Sequence, residues 1–235
     1  MIQNQGHCVP NELKPRDVER HFLTCELLLQ RQKRKGFLHR IVAQITFNLW
    51  YRLSQELYER DIQPLTDLFK PHIERLIAAL ARHCQCEPDY THLPEEGSEF
   101  YEFRIKVMEL IKDVVFIVGS SSVFRQMFAS LQNEISWEQT EAALFVMQAV
   151  AKNILPEEYE VVPKVVEAIL NMPEDDAHPA VRKTCVMLLG ELCEWIDTHP
   201  ECLESSLQFL LRGLQDKHIA PTAANSLQAS FMQHL

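Results

Sequence analysis

The most informative shortage in this sequence is glycine. Only 6 of the 235 residues are glycine, whereas sheet-rich folds and phosphate-binding loops need glycine at many of their turns. The sequence also contains no P-loop, GxGxxG, GxSxG or HExxH segment, and these are signatures of common nucleotide-binding and hydrolytic sites. The shortages favour an all-helical protein, and we predict that the chain is not an enzyme and holds no cofactor.

Long apolar runs and an even set of cysteines are also missing. No segment approaches the ~18 apolar residues that a membrane-spanning helix needs, and the N-terminal region has no signal-peptide core. The chain contains seven cysteines, which is an odd number. Several of them, including Cys25, Cys185 and Cys193, lie among apolar residues, as free thiols do in a reducing compartment. We therefore expect a soluble chain of the cytoplasm or nucleus.

Positive charge is scarce beyond residue 50. The formal net charge is −10, and residues 51–235 contain 15 Lys+Arg against 29 Asp+Glu. Such a surface repels phosphate, so we expect no direct nucleic-acid binding and regard basic proteins or peptides as the natural partners. The acidic excess is largest over residues 134–204, with 15 Asp+Glu against 4 Lys+Arg. It can attract arginine-rich segments, or it can simply keep the outer helix faces soluble.

Apolar residues recur with a helical period along most of the chain. We predict helices over about 37–60 and 64–84, from Glu99 to just before Gly119, and from candidate caps at Ser120 to Ser122 through about residue 133. Further helices begin after the N-cap Ser136, after Pro156, at Pro179, at Pro200 and near Ile219. The β-branched run Val114–Val118 leaves a buried strand open as an alternative.

The first helices of successive pairs begin near residues 37, 99, 137, 179 and 219. Three of the intervals are close to 40 residues, the period of HEAT and armadillo helix pairs. A polar insertion from Gln85 to Ser98, named here the acidic loop, explains the longer first interval. We predict an all-α solenoid of antiparallel HEAT-like helix pairs, about four to five over residues 37–235 with the last one incomplete. We expect residues 1–36 to be a poorly matching N-terminal segment with one helix. An irregular helical bundle is the alternative.

Two segments carry specific packing predictions. In the segment His178–Arg182, Pro179 begins a helix, Val181 enters the core between repeats, and Arg182 reaches acidic groups of a neighbouring turn. In the last helix, an apolar stripe has no partner helix in the sequence, so we expect the isolated chain to self-associate through this open C-terminal helix. The stripe consists of Ile219, Ala223, Leu227 and Phe231.

Several segments resemble the central repeats of the transportin-SR family of nuclear import receptors, within the importin-β (karyopherin-β) superfamily. The likeness runs in order and with similar spacing from about residue 40 to about residue 228. It rests on the segments Phe47–Leu53, Ala79–Gln85, Phe103–Val107, Trp137–Ala142 and His178–Arg182.

The resemblance implies a receptor that carries serine/arginine-rich splicing factors into the nucleus under the control of Ran-GTP. It implies Ran GTPase and the serine/arginine-rich splicing factors as partners, nucleoporins as further partners, and shuttling between cytoplasm and nucleus. In the family, Ran is gripped largely by repeats nearer the N-terminus and cargo by an arginine-rich helix in later repeats. A static HEAT-repeat scaffold without Ran dependence is the alternative function.

The acidic loop and its edge are the candidate protein-binding site. Loops between solenoid helices can project over the concave face and meet basic partner surfaces, although an ordinary solvated connection would have the same composition. The candidate residues are Glu87, Asp89, Glu95, Glu96 and Glu99.

Three other clusters have simpler interpretations. The basic cluster Arg31, Lys33, Arg34, Lys35 and Arg40 is a candidate phosphate or nuclear-localisation patch, but it also fits a helix C-terminus followed by Gly36. The residues His83, Cys84 and Cys86 lack a second ligand pair, so we predict no zinc site. The tryptophans Trp50, Trp137 and Trp195 are expected in the core, with Trp137 partly exposed.

Overall fold

A computed structural model describes residues 2–4, 7–9, 37–131, 136–173 and 177–232, with side-chain burial described between residues 40 and 229. The chain divides into two units, Met1–Val42 and Ala43–Leu235. In the first unit, strand β1 (Ile2–Asn4) pairs with strand β2 (His7–Val9) in antiparallel register, with Ile2 opposite Val9. The helix predicted within residues 1–36 and the basic residues 31–35 lie outside the described residues.

Helices and the connections between them form the rest of the described chain, which confirms the all-α class. Helix α1 begins in the first unit and continues into the second. The helices are α1 (Phe37–Arg60), α2 (Gln63–His83), α3 (Glu99–Val118), α4 (Ser120–Ser130), α5 (Trp137–Val150), α6 (Val162–Leu170), α7 (Pro179–Glu191), α8 (Cys193–Asp197), α9 (Pro200–Gly213) and α10 (Ala220–Met232). A 3₁₀ turn, Ala151–Asn153, extends α5.

The helices pack in two layers. The first helices of the pairs contact one another in succession, α3 with α5, α5 with α7 and α7 with α10, while α4 contacts α6 and α6 contacts α9 in the second layer. This nearest-neighbour stacking is the packing of a helix-pair solenoid. The repeat of about 40 residues read from the sequence therefore corresponds to one step along the stack.

Helix α5 forms the centre of the core because it contacts α2, α3, α4 and α7. Its residues Ala142–Met147 are all buried, whereas an amphipathic surface helix buries only one stripe. In α3, the run Val114–Val118 continues the helical stripe, so the strand alternative for that run is wrong. Trp195 is buried, and Trp50 and Trp137 pack against the core from partly buried positions, as expected.

The predicted serine caps of α4 are wrong. The N-cap is Gly119, no side chain caps the helix, and Ser120 is already its first residue and is buried. Gly119 adopts a φ of 84°, a conformation that glycine reaches without steric cost. Because this single residue turns the chain from α3 into α4, no separate capping residue is needed. At α5, Ser136 is the N-cap but its side chain makes no capping hydrogen bond.

The prediction of an open stripe on the last helix is also wrong. Ile219, Ala223 and Leu227 are buried, and α10 packs against both α7 and α9; the side chain of Phe231 is outside the described set. The stripe is used within the chain because a first helix of a solenoid contacts the preceding first helix as well as its neighbours in the second layer. Gly190 permits the close approach, since a Cβ atom there would lie 2.4 Å from Ser226 Oγ.

Candidate protein-binding surface

A buried ion pair joins the first helices of two successive repeats. Arg104 of α3 donates from Nη1 to Glu141 Oε2 of α5 at 2.8 Å and from Nη2 to Glu141 Oε1 at 2.6 Å. The two side chains are 6% and 0% exposed. The guanidinium also lies 4.1 Å from the centre of the Phe145 ring. Bidentate geometry and an aromatic face are the conditions under which a buried arginine is best stabilised.

The same carboxylate extends the connection to a third helix. Thr184 of α7 donates its hydroxyl hydrogen to Glu141 Oε1 at 2.8 Å, and Arg104 Nη1 also donates to the Cys84 carbonyl at 3.2 Å. Arg104 and Glu141 are 37 residues apart and Glu141 and Thr184 are 43 apart. One polar group per repeat therefore forms a buried line through α3, α5 and α7 that fixes how these helices lie against one another.

Electrostatics around this line keep arginine charged and the nearby thiols neutral. Burial disfavours a charged guanidinium, but attraction and hydrogen bonding to Glu141 hold the pKa of Arg104 above its ordinary value. Burial, reinforced by the Glu141 carboxylate, raises the pKa of Cys86 to about 12. Burial and the same carboxylate also raise the pKa of Cys185. A neutral thiol is a poor nucleophile and a poor metal ligand, so these cysteines act as packing residues.

The acidic loop is anchored along the edge where the second helices connect to the next first helices. Cys86 and Pro94 are buried, and the Tyr90 ring lies 6.3 Å from the Phe100 ring. The Tyr90 carbonyl oxygen lies 3.1 Å from His178 Nε2 at the start of α7. Further along the loop, the His92 ring stacks on the His218 ring at 4.9 Å, just before α10. The loop therefore spans the edges of several repeats.

The predicted carboxylates of the acidic loop point toward solvent. Asp89, Glu95, Glu96 and Glu99 are exposed and Glu87 is half-buried. The loop backbone around them is ordered by hydrogen bonds from Tyr90 N–H to the Glu87 carbonyl and from Ser98 N–H to the Glu95 carbonyl. The structure thus presents the five carboxylates on one supported connection. Whether a partner binds them remains a prediction.

The segment His178–Arg182 has the geometry that its sequence predicts. Pro179 is the first residue of α7 and Val181 is buried. Arg182 Nη2 lies 3.1 Å from Asp216 Oδ2 in the turn before α10. His178 caps α7 by accepting a hydrogen bond from the Ala180 N–H at Nδ1, and its ring stacks on Trp137 at 3.6 Å. Because Nδ1 accepts, Nε2 carries the proton and donates to the Tyr90 carbonyl.

The buried line of Arg104, Glu141 and Thr184 was not predicted from the sequence. Arg104 and Glu141 lie within two of the segments that carry the resemblance and Thr184 lies outside them all, yet all three residues are buried. A signal was present, because polar residues spaced by one repeat occupy equivalent positions in neighbouring first helices. Glu158 was missed as well: it is buried and its carboxylate accepts hydrogen bonds from the backbone N–H groups of residues 160–162.

Two family profiles match this sequence. Residues 18–83 match the second TPR domain of Transportin-3/Importin-13 and residues 159–233 match the third. The two domains occur in their family order and together cover more than half of the chain. The chain belongs to the karyopherin-β superfamily. The first match begins at residue 18, earlier than the segment-by-segment resemblance, and the TPR and HEAT descriptions both denote helix-pair repeats.

Relatives of this karyopherin-β chain occur in three well-separated organisms. The mRNA transport regulator MTR10 of Saccharomyces cerevisiae is 30% identical over 182 residues, which cover 74% of this chain and 18% of MTR10. Transportin MOS14 of Arabidopsis thaliana is 23% identical over 209 residues, covering 78% of this chain and 22% of MOS14. Human Importin-13 is 22% identical over 198 residues, covering 79% and 20%. The chain spans about a fifth of the length of these relatives.

A solved structure of Importin13 in its cytosolic state has a similar fold. The two structures superpose with a TM-score of 0.68 at 18% sequence identity. The match covers 80% of this karyopherin-β chain and 23% of the Importin13 chain, and it confirms the solenoid fold. Superfamily membership also confirms that the chain is not an enzyme. Among the described residues, no three His, Cys, Asp or Glu side chains are placed to hold a metal ion. No described helix is long and apolar enough to cross a membrane.

Proposed function

We propose that this chain is a segment of a nuclear import receptor that carries serine/arginine-rich splicing factors under the control of Ran-GTP. The observation that carries the proposal is the in-order match to two Transportin-3/Importin-13 domains on a helix-pair solenoid. The excess of carboxylates supports it, because arginine-rich cargo is strongly cationic. The receptor shuttles between cytoplasm and nucleus, with nucleoporins as further partners.

Exchange of cargo against Ran-GTP requires two arrangements of the solenoid that the two ligands bind with different affinities. Helices α3, α5 and α7 share the buried Arg104–Glu141 pair, and separating such a pair in a dry core is costly. We therefore place the change of curvature at boundaries outside this block, while the block itself moves as one body.

The acidic loop supplies a contact for a basic surface of Ran or of cargo. Its exposed carboxylates lie on a connection that is tethered to α7 through His178 and to the turn before α10 through His218. A loop held in this way loses little conformational freedom when a partner binds. Electrostatic contacts of this kind increase the association rate and weaken as salt increases.

Charge reversal tests the loop. Glu95→Lys/Glu96→Lys is compared with Glu102→Lys/Glu109→Lys, which makes the same charge change at exposed positions of α3. Binding to Ran-GTP and to serine/arginine-rich peptide, phosphorylated and unphosphorylated, is measured at two salt concentrations. We expect the loop variant to weaken binding about tenfold at low salt, or ~1.4 kcal/mol, and the α3 variant much less. Equal affinities would remove the loop from the site.

A second experiment separates the import receptor from a static scaffold. Immobilised chain is incubated with Ran loaded with GTP or with GDP, and retained Ran is quantified with a full-length receptor alongside. A receptor segment that contributes to Ran recognition retains more of the GTP form. A scaffold retains neither form or both equally, and that result would contradict Ran control in these repeats.

A further inference from the structure

The opposite edge of the stack exposes two large apolar side chains on one short connection. Connections from first to second helices lie at the other end of the helices from the acidic loop, because paired helices are antiparallel. Between α5 and α6, this edge carries Leu155 and Tyr159, which are 66% and 68% exposed. An exposed apolar patch rimmed by polar residues is typical of a site that binds another protein.

The backbone beneath these side chains is fixed by Glu158. The buried carboxylate accepts hydrogen bonds from the N–H groups of Glu160, Val161 and Val162 at 2.8–3.2 Å and so caps the start of α6. The indole Nε1–H of Trp195 donates to the Glu158 carbonyl at 3.0 Å. Both the side chain and the backbone carbonyl of Glu158 therefore fix the connection just before Tyr159. A partner would meet a preorganised surface.

A buried histidine ring lies beside Tyr159. The His199 ring is 1% exposed, stacks on Trp195 at 3.8 Å and lies 4.8 Å from the Tyr159 ring. Its Nδ1 donates to the Trp195 carbonyl oxygen at 2.8 Å and also lies 3.0 Å from Thr198 Oγ1. Within the described part of the chain, Nε2 is buried and has no hydrogen-bond partner. The Tyr159 ring therefore lies against a buried aromatic stack formed by Trp195 and His199.

Negative charge surrounds the two apolar side chains. Glu157 and Glu160 are exposed on the same connection, and Glu194 and Asp197 are exposed on α8, whose Trp195 contacts that connection. Two cations offset part of this charge: Arg125 lies 2.8 Å from Glu160 and Lys152 lies 3.2 Å from Glu191. The carboxylates outnumber these cations, so a nucleic acid would be repelled and a cationic peptide attracted.

We propose that Leu155 and Tyr159, with the carboxylates of Glu157 and Glu160, form a docking surface for a basic peptide segment that carries an apolar residue between its cations. The apolar residue packs on Leu155 and the Tyr159 ring. The cations lie over that ring and among the carboxylates, as arginine does on aromatic faces. This surface is separate from the acidic loop, and the proposal stands whether or not the chain binds Ran.

The test measures binding of a short fluorescent peptide of arginine, glycine and leucine to the full chain by anisotropy. We expect Tyr159→Ala and Leu155→Ser each to weaken binding roughly tenfold, equal to ~1.4 kcal/mol. Glu157→Gln/Glu160→Gln should weaken it several-fold at low salt and little at high salt. Tyr58→Ala is the matched control, because Tyr58 is 71% exposed on α1; it should leave the affinity unchanged.

Three results would overturn the proposal. One is an affinity of Tyr159→Ala and Leu155→Ser within about twofold of the parent chain. Another is equal binding of a peptide in which leucine is replaced by glycine, since charge alone would then suffice. The third is equal loss in Tyr58→Ala. Circular dichroism establishes that each variant is folded, and hydrogen exchange should show protection of residues 154–161 when the peptide is bound.

Discussion

Replacing Glu141 with leucine should destabilise the protein more than any change at an exposed ion pair. The substitution leaves the Arg104 guanidinium in a site where only 6% of the side chain is exposed, with no carboxylate to accept its two hydrogen bonds. Breaking a buried pair in this way costs about 3–5 kcal/mol. The Thr184 hydroxyl also loses its acceptor, which adds ~1 kcal/mol.

The expected change in melting temperature follows from the chain length. For a protein of this size, 1 kcal/mol shifts the midpoint by about 2–4 °C, so Glu141→Leu should lower it by roughly 10 °C or more. The matched control is Arg125→Ala. It removes the ion pair between Arg125 of α4 and Glu160 of the connection before α6. The two side chains are 55% and 70% exposed, and such a pair contributes about 0–1 kcal/mol to stability.

A double variant separates the charge effect from packing. Arg104→Met/Glu141→Leu removes both charges, so it should recover most of the stability lost in the single variant. About 1–3 kcal/mol should remain lost, because the Cys84 carbonyl and the Thr184 hydroxyl no longer have these partners. The interaction energy between the two sites should therefore be large.

Urea unfolding followed by circular dichroism measures these free energies, and hydrogen exchange in α3, α5 and α7 shows whether the loss is local to the block. A cost below ~1 kcal/mol for Glu141→Leu, or a double variant as unstable as the sum of the two single variants, would refute this role of the buried pair. Either result would mean that water or a shifted side chain replaces the lost partner.

Three further changes have expected outcomes. Gly190→Ala should lower stability by about 1–3 kcal/mol, because its Cβ would meet Ser226; Ser226→Gly should restore part of it in thermal melts. His178→Ala should lower the free energy of unfolding by ~1 kcal/mol, because α7 loses its N-terminal cap. It should also accelerate hydrogen exchange in the acidic loop, because His178 binds the Tyr90 carbonyl. Unchanged exchange would contradict this contact between the loop and α7. Cys86 should react with iodoacetamide at pH 8 far more slowly than the half-buried Cys202, as read by mass spectrometry. Since the pKa of Cys86 is raised to about 12 from its ordinary 9.0, the folded state keeps the proton that the unfolded chain releases. Stability should therefore fall between those pH values, less so in Cys86→Ala.

Most of the helix-pair fold could be predicted because it depends on local signals. The 3.6-residue stripe identified α3, the prolines at 179 and 200 identified the starts of α7 and α9, and the repeat of about 40 residues arranged the helices in two layers. These signals act within one helix or between nearest neighbours, and a solenoid is built almost wholly from such contacts.

Apart from the local error at Ser120, which follows from the turn at Gly119, the errors of prediction occur where a residue's environment depends on another repeat. The stripe of α10 looked open because the sequence does not show that α7 and α9 cover it. The buried line through Arg104 was missed for the same reason, since a charged residue on a helix normally marks the solvated face.

The sequence by itself determined the repeat, most of the helix positions and the acidic character of the surface, because periodicity and charge are properties of the chain. Only the tertiary structure decided which polar groups are buried and which loops are tethered. It placed Glu141 against Arg104 and Thr184, Tyr90 against His178, and Tyr159 beside His199. Each of these contacts joins residues of different repeats, and their free energies depend on burial and hydrogen-bond geometry that exist only after the helices have stacked.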